Sequence, residues 1–322
     1  MVHARAFSFT DDAITVGLPS PSPMARVPSI SGSTAVPPSA DPSLLHFQLR
    51  LIQSHWYQTL FQSDPTDLLP NSASFIWQMC HDMREWAEAL PDTLPVGIQE
   101  LFDLELRYSY VYCIAPSARA PHLTAYGRIL IFEHAIAYLD RIYAVANASM
   151  NAAFYTYHDA LKVYFMGSQF VAVLRDAVDA LLSGGSVPVP LSLPGHAPPP
   201  PLPERSSGDN LDRSLRSLER VSQTLEKYGE RWEDALALKD SFERMSADVV
   251  EELGARRGER DAANAQAGQM RLQQMVPGQQ SQQQQQQQHM QTMQNHTYPG
   301  QDMRWVDVDT TQMIQGGNRY EN

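Results

Sequence analysis

Sulfur ligands, a secretory leader, a long apolar run and a surplus of positive charge are all missing from this sequence of 322 residues, and each absence removes a class of function. Only two cysteines occur, Cys80 and Cys113. Each lies in a stretch with helical spacing, and neither has a second sulfur or a histidine at metal-ligand spacing. They read as buried reduced thiols, which suits a reducing compartment. Met1 is followed by Val-His-Ala-Arg and then by Asp11 and Asp12 with no apolar run between, so no secretory leader is expected. The Asn-x-Ser/Thr sequons at Asn147 and Asn295 then read as chance matches. The most apolar stretch, Ile129 to Val145, is broken by Glu133, His134, Asp140 and Arg141, which argues against a membrane span and for a soluble protein. With 24 Lys and Arg against 36 Asp and Glu, the formal net charge is -12. Gripping nucleic acid requires cations gathered on one face to displace counterions from phosphates. The single basic cluster, Arg256, Arg257 and Arg260, is diluted by Glu259 and Asp261 and reads as a solvated helix end, so no DNA-binding residue is assigned.

The signatures of catalysis are also lacking. There is no G-x-S-x-G turn, no phosphate-cradling P-loop, no dinucleotide-binding glycine pattern after a strand, and no H-E-x-x-H. Ten histidines could conceal a metal site. His81 lies between Cys80 and Asp82, and His134 and His158 sit beside Glu133 and Asp159, but adjacent positions on a helix diverge by about 100° and do not converge on one ion. No catalytic, cofactor-binding or metal-ligating residue is therefore assigned, and the chain is not expected to be an enzyme.

What is present is helical periodicity. The pattern predicts an all-α protein, an irregular multi-helix bundle with disordered Pro/Ser-rich linkers and a disordered Gln-rich C-terminal tail. Residues 1–18 hold one compact segment, too short to be a domain. Residues 19–41 are rich in Ser and Pro and predict a disordered loop. The core is expected over 42–182. Asp41-Pro42 starts its first helix, where Leu45, Leu49, Ile52, Trp56 and Leu60 form one stripe, and Asp64-Pro65 ends it. A second helix covers about Ser72 to Leu90, a third Val96 to Ala115, a fourth Pro121 to Ala148 and a fifth Phe154 to Leu182. The third, dense in aromatics, is expected to be buried on most sides.

Residues 183–209 read as a Pro-rich linker. Within it, Pro200-Pro-Leu-Pro-Glu-Arg205 fits the PxxPxR pattern that SH3 domains read in an extended polyproline helix. Residues 210–253 form an amphipathic helix or helix pair with a bend at Gly229, which either folds back on the core or presents Leu211, Leu215, Leu218, Leu225 and Trp232 to a protein partner. Residues 254–322 include the run Gln282 to Gln288, too polar to bury much apolar surface, and predict a disordered tail. Its Trp305-Val-Asp-Val-Asp alternates apolar and acidic residues, as activation segments do.

Several segments together resemble the fungal-specific transcription factor domain, or middle homology region, of zinc-cluster (binuclear zinc, six-cysteine) regulators. They are Arg5-Ala-Phe-Ser-Phe-Thr-Asp-Asp-Ala-Ile-Thr-Val-Gly-Leu-Pro19; Leu49-Arg-Leu-Ile-Gln-Ser-His-Trp-Tyr57, similar to a helix with an R-x-I-Q-S core; Leu104-Glu-Leu-Arg-Tyr108 with Pro116-Ser-Ala-Arg-Ala-Pro121, similar to a helix and an R-P-S-x-R turn; and Thr156-Tyr-His-Asp-Ala-Leu-Lys-Val-Tyr164, followed by Gly167 and Phe170. Leu225 to Leu253 resembles the closing helices. The resemblance implies an all-helical domain that regulates an attached DNA-binding module, and it carries no ligand-binding residues across. Ala4 and Ala6 depart from the usual Gly and Pro. The match begins partway through the domain, so the helices before Phe7 and the zinc cluster are expected to be missing, and zinc would belong to that absent module.

The leading reading is the regulatory, non-DNA-binding part of such a transcription factor, located in the nucleus, from a truncated gene model or a shortened paralogue. Its partners would be proteins: itself, full-length relatives or co-regulators, with no direct nucleic acid or membrane contact. The alternative is a stand-alone interaction module that modulates full-length relatives. A third is a small enzyme or ligand receptor with an aromatic pocket near Tyr108, Tyr112, Tyr138 and Tyr164. With helices missing, exposed apolar faces predict association of the isolated chain.

Overall fold

Asp41 caps the first helix by accepting a hydrogen bond from the Ser43 amide at 2.9 Å, and Pro42 occupies the position where a missing N–H costs nothing. From this start the computed structural model describes residues 41–148, 156–184, 187–192, 194–205 and 208–294, with side chains as far as Arg271. The segment 1–40, which includes the Phe7 stretch and the Ser/Pro loop, and the tail 295–322, which includes Trp305 and Asn295, lie outside the described residues.

Among the described residues the secondary structure is all helical. The elements are α1 (Pro42–Tyr57), continued by a π-type turn (Gln58–Gln62), α2 (Ser72–Glu88), α3 (Val96–Ile114), α4 (Ala125–Asn147), α5 (Tyr157–Leu182), α6 (Asn210–Gly229) and α7 (Asp234–Gln294). Three further starts have a side-chain cap. Thr124 caps α4 by accepting from Gly127 N at 2.9 Å, Asp209 caps α6 by accepting from Asp212 N at 2.8 Å, and Thr156 with Asp159 closes a reciprocal capping box on α5.

Helix α4 is the centre of the bundle, packed against α3, α5 and α6. Its Leu130, Ile131, Phe132, Ala135, Ile136 and Leu139 are shut off from solvent. The apolar stretch that charge disqualified as a membrane span is thus a core helix. The cross-layers are close. A Cβ on Gly167 of α5 would lie 2.7 Å from Phe242 of α7 and 3.1 Å from Val221 of α6, so only glycine allows α5 to approach both.

Of the two outcomes left open for 210–253, the observed one is that the segment folds back on the core: the described residues up to Arg260 form one compact unit. Leu218, Val221, Leu225 and Tyr228 of α6, and Phe242, Val249 and Leu253 of α7, are buried in the same core as α1 to α5. The break at Gly229 does separate a helix pair. The helix does not stop at the expected boundary after Leu253: its backbone continues to Gln294. Residues 261–271 are exposed, so burial does not hold this stretch; its Ala, Gln, Arg and Met content, high in intrinsic helix propensity, favours the helix. The described residues from Asp261 to Gln294 fall in a second unit.

Candidate functional site

Three helices each bring a pair of polar residues at helical spacing to one point. Arg50 and Gln53 come from α1, Glu105 and Ser109 from α3, and His158 and Lys162 from α5. Glu105 lies at the middle and is 6% exposed. Its Oε1 receives Arg50 at 2.8 Å and the Gln53 amide at 3.2 Å, while Oε2 receives the Lys162 ammonium at 2.5 Å. The Gln53 amide also donates to Ser109 Oγ at 2.5 Å, and Ser109 returns its hydroxyl to the Glu105 carbonyl at 2.7 Å. Burial alone would raise the Glu105 carboxyl, but Lys162 and Arg50 outweigh it and hold it down at about 2. A carboxylate that remains ionised and filled with donors does not exchange protons near neutrality. This cluster ties three helices together and is not built for general acid–base work.

Histidines flank the cluster. Arg50 Nε donates to His46 Nε2 at 3.1 Å, which requires that nitrogen to be unprotonated. Burial first and Arg50 next lower the His46 pKa, and burial with Lys162 lowers that of His158. Next to it stands an aromatic wall: Lys162 lies 5.3 Å from the Tyr108 ring centre, Tyr108 stacks on Tyr112 at 5.7 Å, and Tyr112 meets Phe61 at 5.0 Å and Phe165 at 4.7 Å. Of the four tyrosines expected around one pocket, Tyr108 and Tyr112 share this stack. Tyr138 is fully buried on α4, and Tyr164 bonds to Ser241 of α7 at 3.0 Å.

The turn at Pro116–Pro121 is fixed by Arg119, whose guanidinium donates to the Thr59 carbonyl at 2.9 Å, the Asp67 carbonyl at 2.6 Å and the Asp67 carboxylate at 2.9 Å. A second ionic centre joins α4 to α6. Glu133, almost wholly buried, faces Arg213 at 2.5 Å and Arg205 at 3.2 Å. Asn210 accepts from both arginines, at 2.7 and 2.8 Å, and donates to the Leu181 carbonyl at 2.6 Å.

The residues assigned to a partner point inward. Leu218 and Leu225 are buried, and Leu211, Leu215 and Trp232 are half-buried against the same core. The face they form is occupied within the chain. The basic cluster is likewise engaged: Arg256 pairs with Asp179 and Glu252 at 2.6 and 2.7 Å, and Arg260 with Asp212 at 3.0 Å. Cys80 and Cys113 are both buried and are neighbours, so burial first and then the Cys113 thiol push Cys80 well above its ordinary pKa. Their separation of one helix hairpin in sequence gave no sign of this. Among the described residues no three His, Cys, Asp or Glu side chains are grouped to hold a metal ion, and no helix is long and apolar enough to cross a membrane.

Comparisons of the chain with protein-family models, with curated proteins and with solved structures return no match. The functional reading therefore rests on the sequence and on this geometry.

Proposed function

We propose that the chain is the regulatory, non-DNA-binding helical part of a transcription factor similar to the fungal zinc-cluster regulators. It acts on the output of a DNA-reading module through intramolecular control, dimer contact or co-regulator binding. On this reading it works in the nucleus, needs no cofactor of its own, and leaves zinc to the DNA-reading module.

The observation that supports this reading is a convergence. The segments that carry the family resemblance are far apart in sequence, yet three of them meet around Glu105: Arg50 and Gln53 from the R-x-I-Q-S-like helix, Glu105 and Tyr108 from the Leu104 segment, and Lys162 from the Thr156 segment. The R-P-S-x-R-like turn places Arg119 on the loop that follows α1. Residue patterns shared with a family for a common fold are expected to fall where helices join, because a polar group buried there must be matched by specific partners.

The test is a fusion. The whole chain is joined to a heterologous zinc-cluster DNA-binding module, and a reporter is read against the module alone. The expected result is a severalfold change in reporter output in either direction, with no retention of duplex DNA by the unfused chain in a gel shift. An unchanged reporter, with the fusion folded and expressed at the level of the module alone, would overturn the proposal.

A further inference from the structure

The proline segment that matches PxxPxR lies on the helical body. Ala197, Pro199 and Pro200 are buried. Tyr126, in the first turn of α4, donates its hydroxyl to the Pro200 carbonyl at 2.7 Å and stands edge-on to Trp77 of α2 at 6.3 Å. At the other end of the segment Arg205 reaches Glu133 at 3.2 Å. Ala197, Pro198, Pro199, Pro200 and Leu202 each precede a proline, which confines them to extended, polyproline-like backbone, the form that SH3 domains bind. The body thus offers what such a domain offers its ligand: an aromatic hydroxyl for a proline carbonyl and a carboxylate for the arginine.

The fit is incomplete. A cleft of about 180 Å³ borders Pro200 to Pro203, walled by Arg84, Leu106, Tyr110 and His134. Another of about 240 Å³ has Leu202 and Arg205 on its wall with Ile129 and Phe132. His134, 5% exposed, has no protein partner at either ring nitrogen. Leu202 is 41% exposed, and half of the Arg205 side chain is open to solvent. Atoms bordering voids forgo dispersion contacts, so this segment is held less firmly than the helices beneath it.

We propose that residues 197–205 are an SH3-type ligand docked in cis, which an SH3 domain captures by lifting it from the Tyr126 and Glu133 groove. Pro200 and Arg205 anchor the segment to the body, and they are also the positions that the PxxPxR pattern presents to a domain. Docking in cis and binding in trans therefore exclude each other. Capture would open the His134 cleft and remove one of the cations from Glu133.

The experiment uses one fluorescently labelled SH3 domain that binds PxxPxR peptides, titrated with a synthetic peptide of residues 197–205, with the whole chain, and with Tyr126→Phe and Ala197→Asp chains. Tyr126→Phe keeps the ring and deletes the bond to Pro200. Ala197→Asp puts a charge at a buried position outside the motif, as a second route to release. The peptide should bind and Arg205→Ala peptide should not; the whole chain should bind more weakly than the peptide. Folded by circular dichroism, the Tyr126→Phe chain should recover about three- to tenfold in affinity, as expected for the loss of one hydrogen bond in the closed state, and the Ala197→Asp chain at least as much, because a charge is costly to bury. Three results would overturn the proposal: a peptide that does not bind, a wild-type chain that binds as tightly as the peptide, or two folded variants that bind no better than wild type.

Discussion

Mild acid should weaken this fold, and His134 is the main reason. The ring lies inside the bundle against Tyr110, with centroids 4.8 Å apart, and neither nitrogen has a protein hydrogen-bond partner. Burial, and then the Arg107 guanidinium, hold its pKa down at about 3 against an ordinary 6.5. The charged groups around it are Arg84, Asp103 and Arg107, which line the same cleft, with Asp103 tied to Arg107 at 2.8 Å. Above pH 6.5 the ring is neutral in both the folded and the unfolded chain, and the stability of the fold is undiminished. As pH falls below 6.5 the unfolded chain takes up a proton and the folded chain does not, so stability falls by about 1.36 kcal/mol per pH unit until the folded pKa near 3 is reached. Over that span the loss is about 5 kcal/mol, and by pH 5 it is already about 2 kcal/mol, a large share of the 5–15 kcal/mol that typically holds a domain. His46 and His158, also lowered, act in the same direction. Glu105, held at about 2, adds a further loss only below about pH 4.5. Urea titrations at pH 8, 7, 6 and 5 on the wild type and on His134→Phe test this. Phenylalanine keeps a ring against Tyr110 and cannot titrate. The variant's stability should fall less steeply between pH 6.5 and 5, by about 1.36 kcal/mol per pH unit. Parallel curves for the two proteins would refute the reasoning.

Two further substitutions test the packing and the second ionic centre. Gly167→Ala should cost about 1–3 kcal/mol in denaturant unfolding, because its Cβ would meet the Phe242 ring at 2.7 Å and Val221 at 3.1 Å. Gly229→Ala, where the obstacle is the side chain of Leu236, 41% exposed and able to turn away, should stay within about 1 kcal/mol of wild type. Glu133→Leu should cost about 3–5 kcal/mol because it takes the paired carboxylate away from the buried Arg213 charge, and adding Arg213→Met should restore most of that loss. Additive losses in the double variant would mean that the two side chains are not coupled and would refute this account.

The helices were legible because their signals are local. Asp41-Pro42 is a cap followed by a proline, and the spacing of Leu45, Leu49, Trp56 and Leu60 is that of one buried helix face. The five core helices fall within a few residues of where the spacing predicts them. The site was not legible, because its signal is not local. On a helical wheel Arg50 and Gln53, Glu105 and Ser109, and His158 and Lys162 resemble ordinary solvated pairs. Only when α1, α3 and α5 are brought together does each pair become the partner of the others. The same holds for Glu133 and Arg213, 80 residues apart. The part of α7 after Leu253 escaped for the opposite reason: a polar stretch without a buried stripe resembles an unstructured tail when only burial is counted, and propensity favours the helix.

Glu133 and His134 entered the sequence reading as interruptions of an apolar run and as a rejected pair of metal ligands, and the structure gives them a different meaning. Successive positions on α4 point about 100° apart, so one turn of that helix addresses three neighbours. Phe132 stacks on Phe170 of α5 at 5.4 Å, Glu133 takes Arg213 of α6 and Arg205 of the proline segment, and His134 lies on Tyr110 of α3. Apolar contacts alone would let these elements slide along one another at little cost, since they are non-directional. A buried carboxylate resists such a slide, because moving Arg213 by one helical turn would break its ion pair with Glu133 at 2.5 Å and leave that carboxylate with Arg205 alone. The charges that disqualify α4 as a membrane span are therefore the ones that fix the register of α6, and through Arg205 they hold the proline segment in place. A signal that moves this segment acts on the same carboxylate that positions α6.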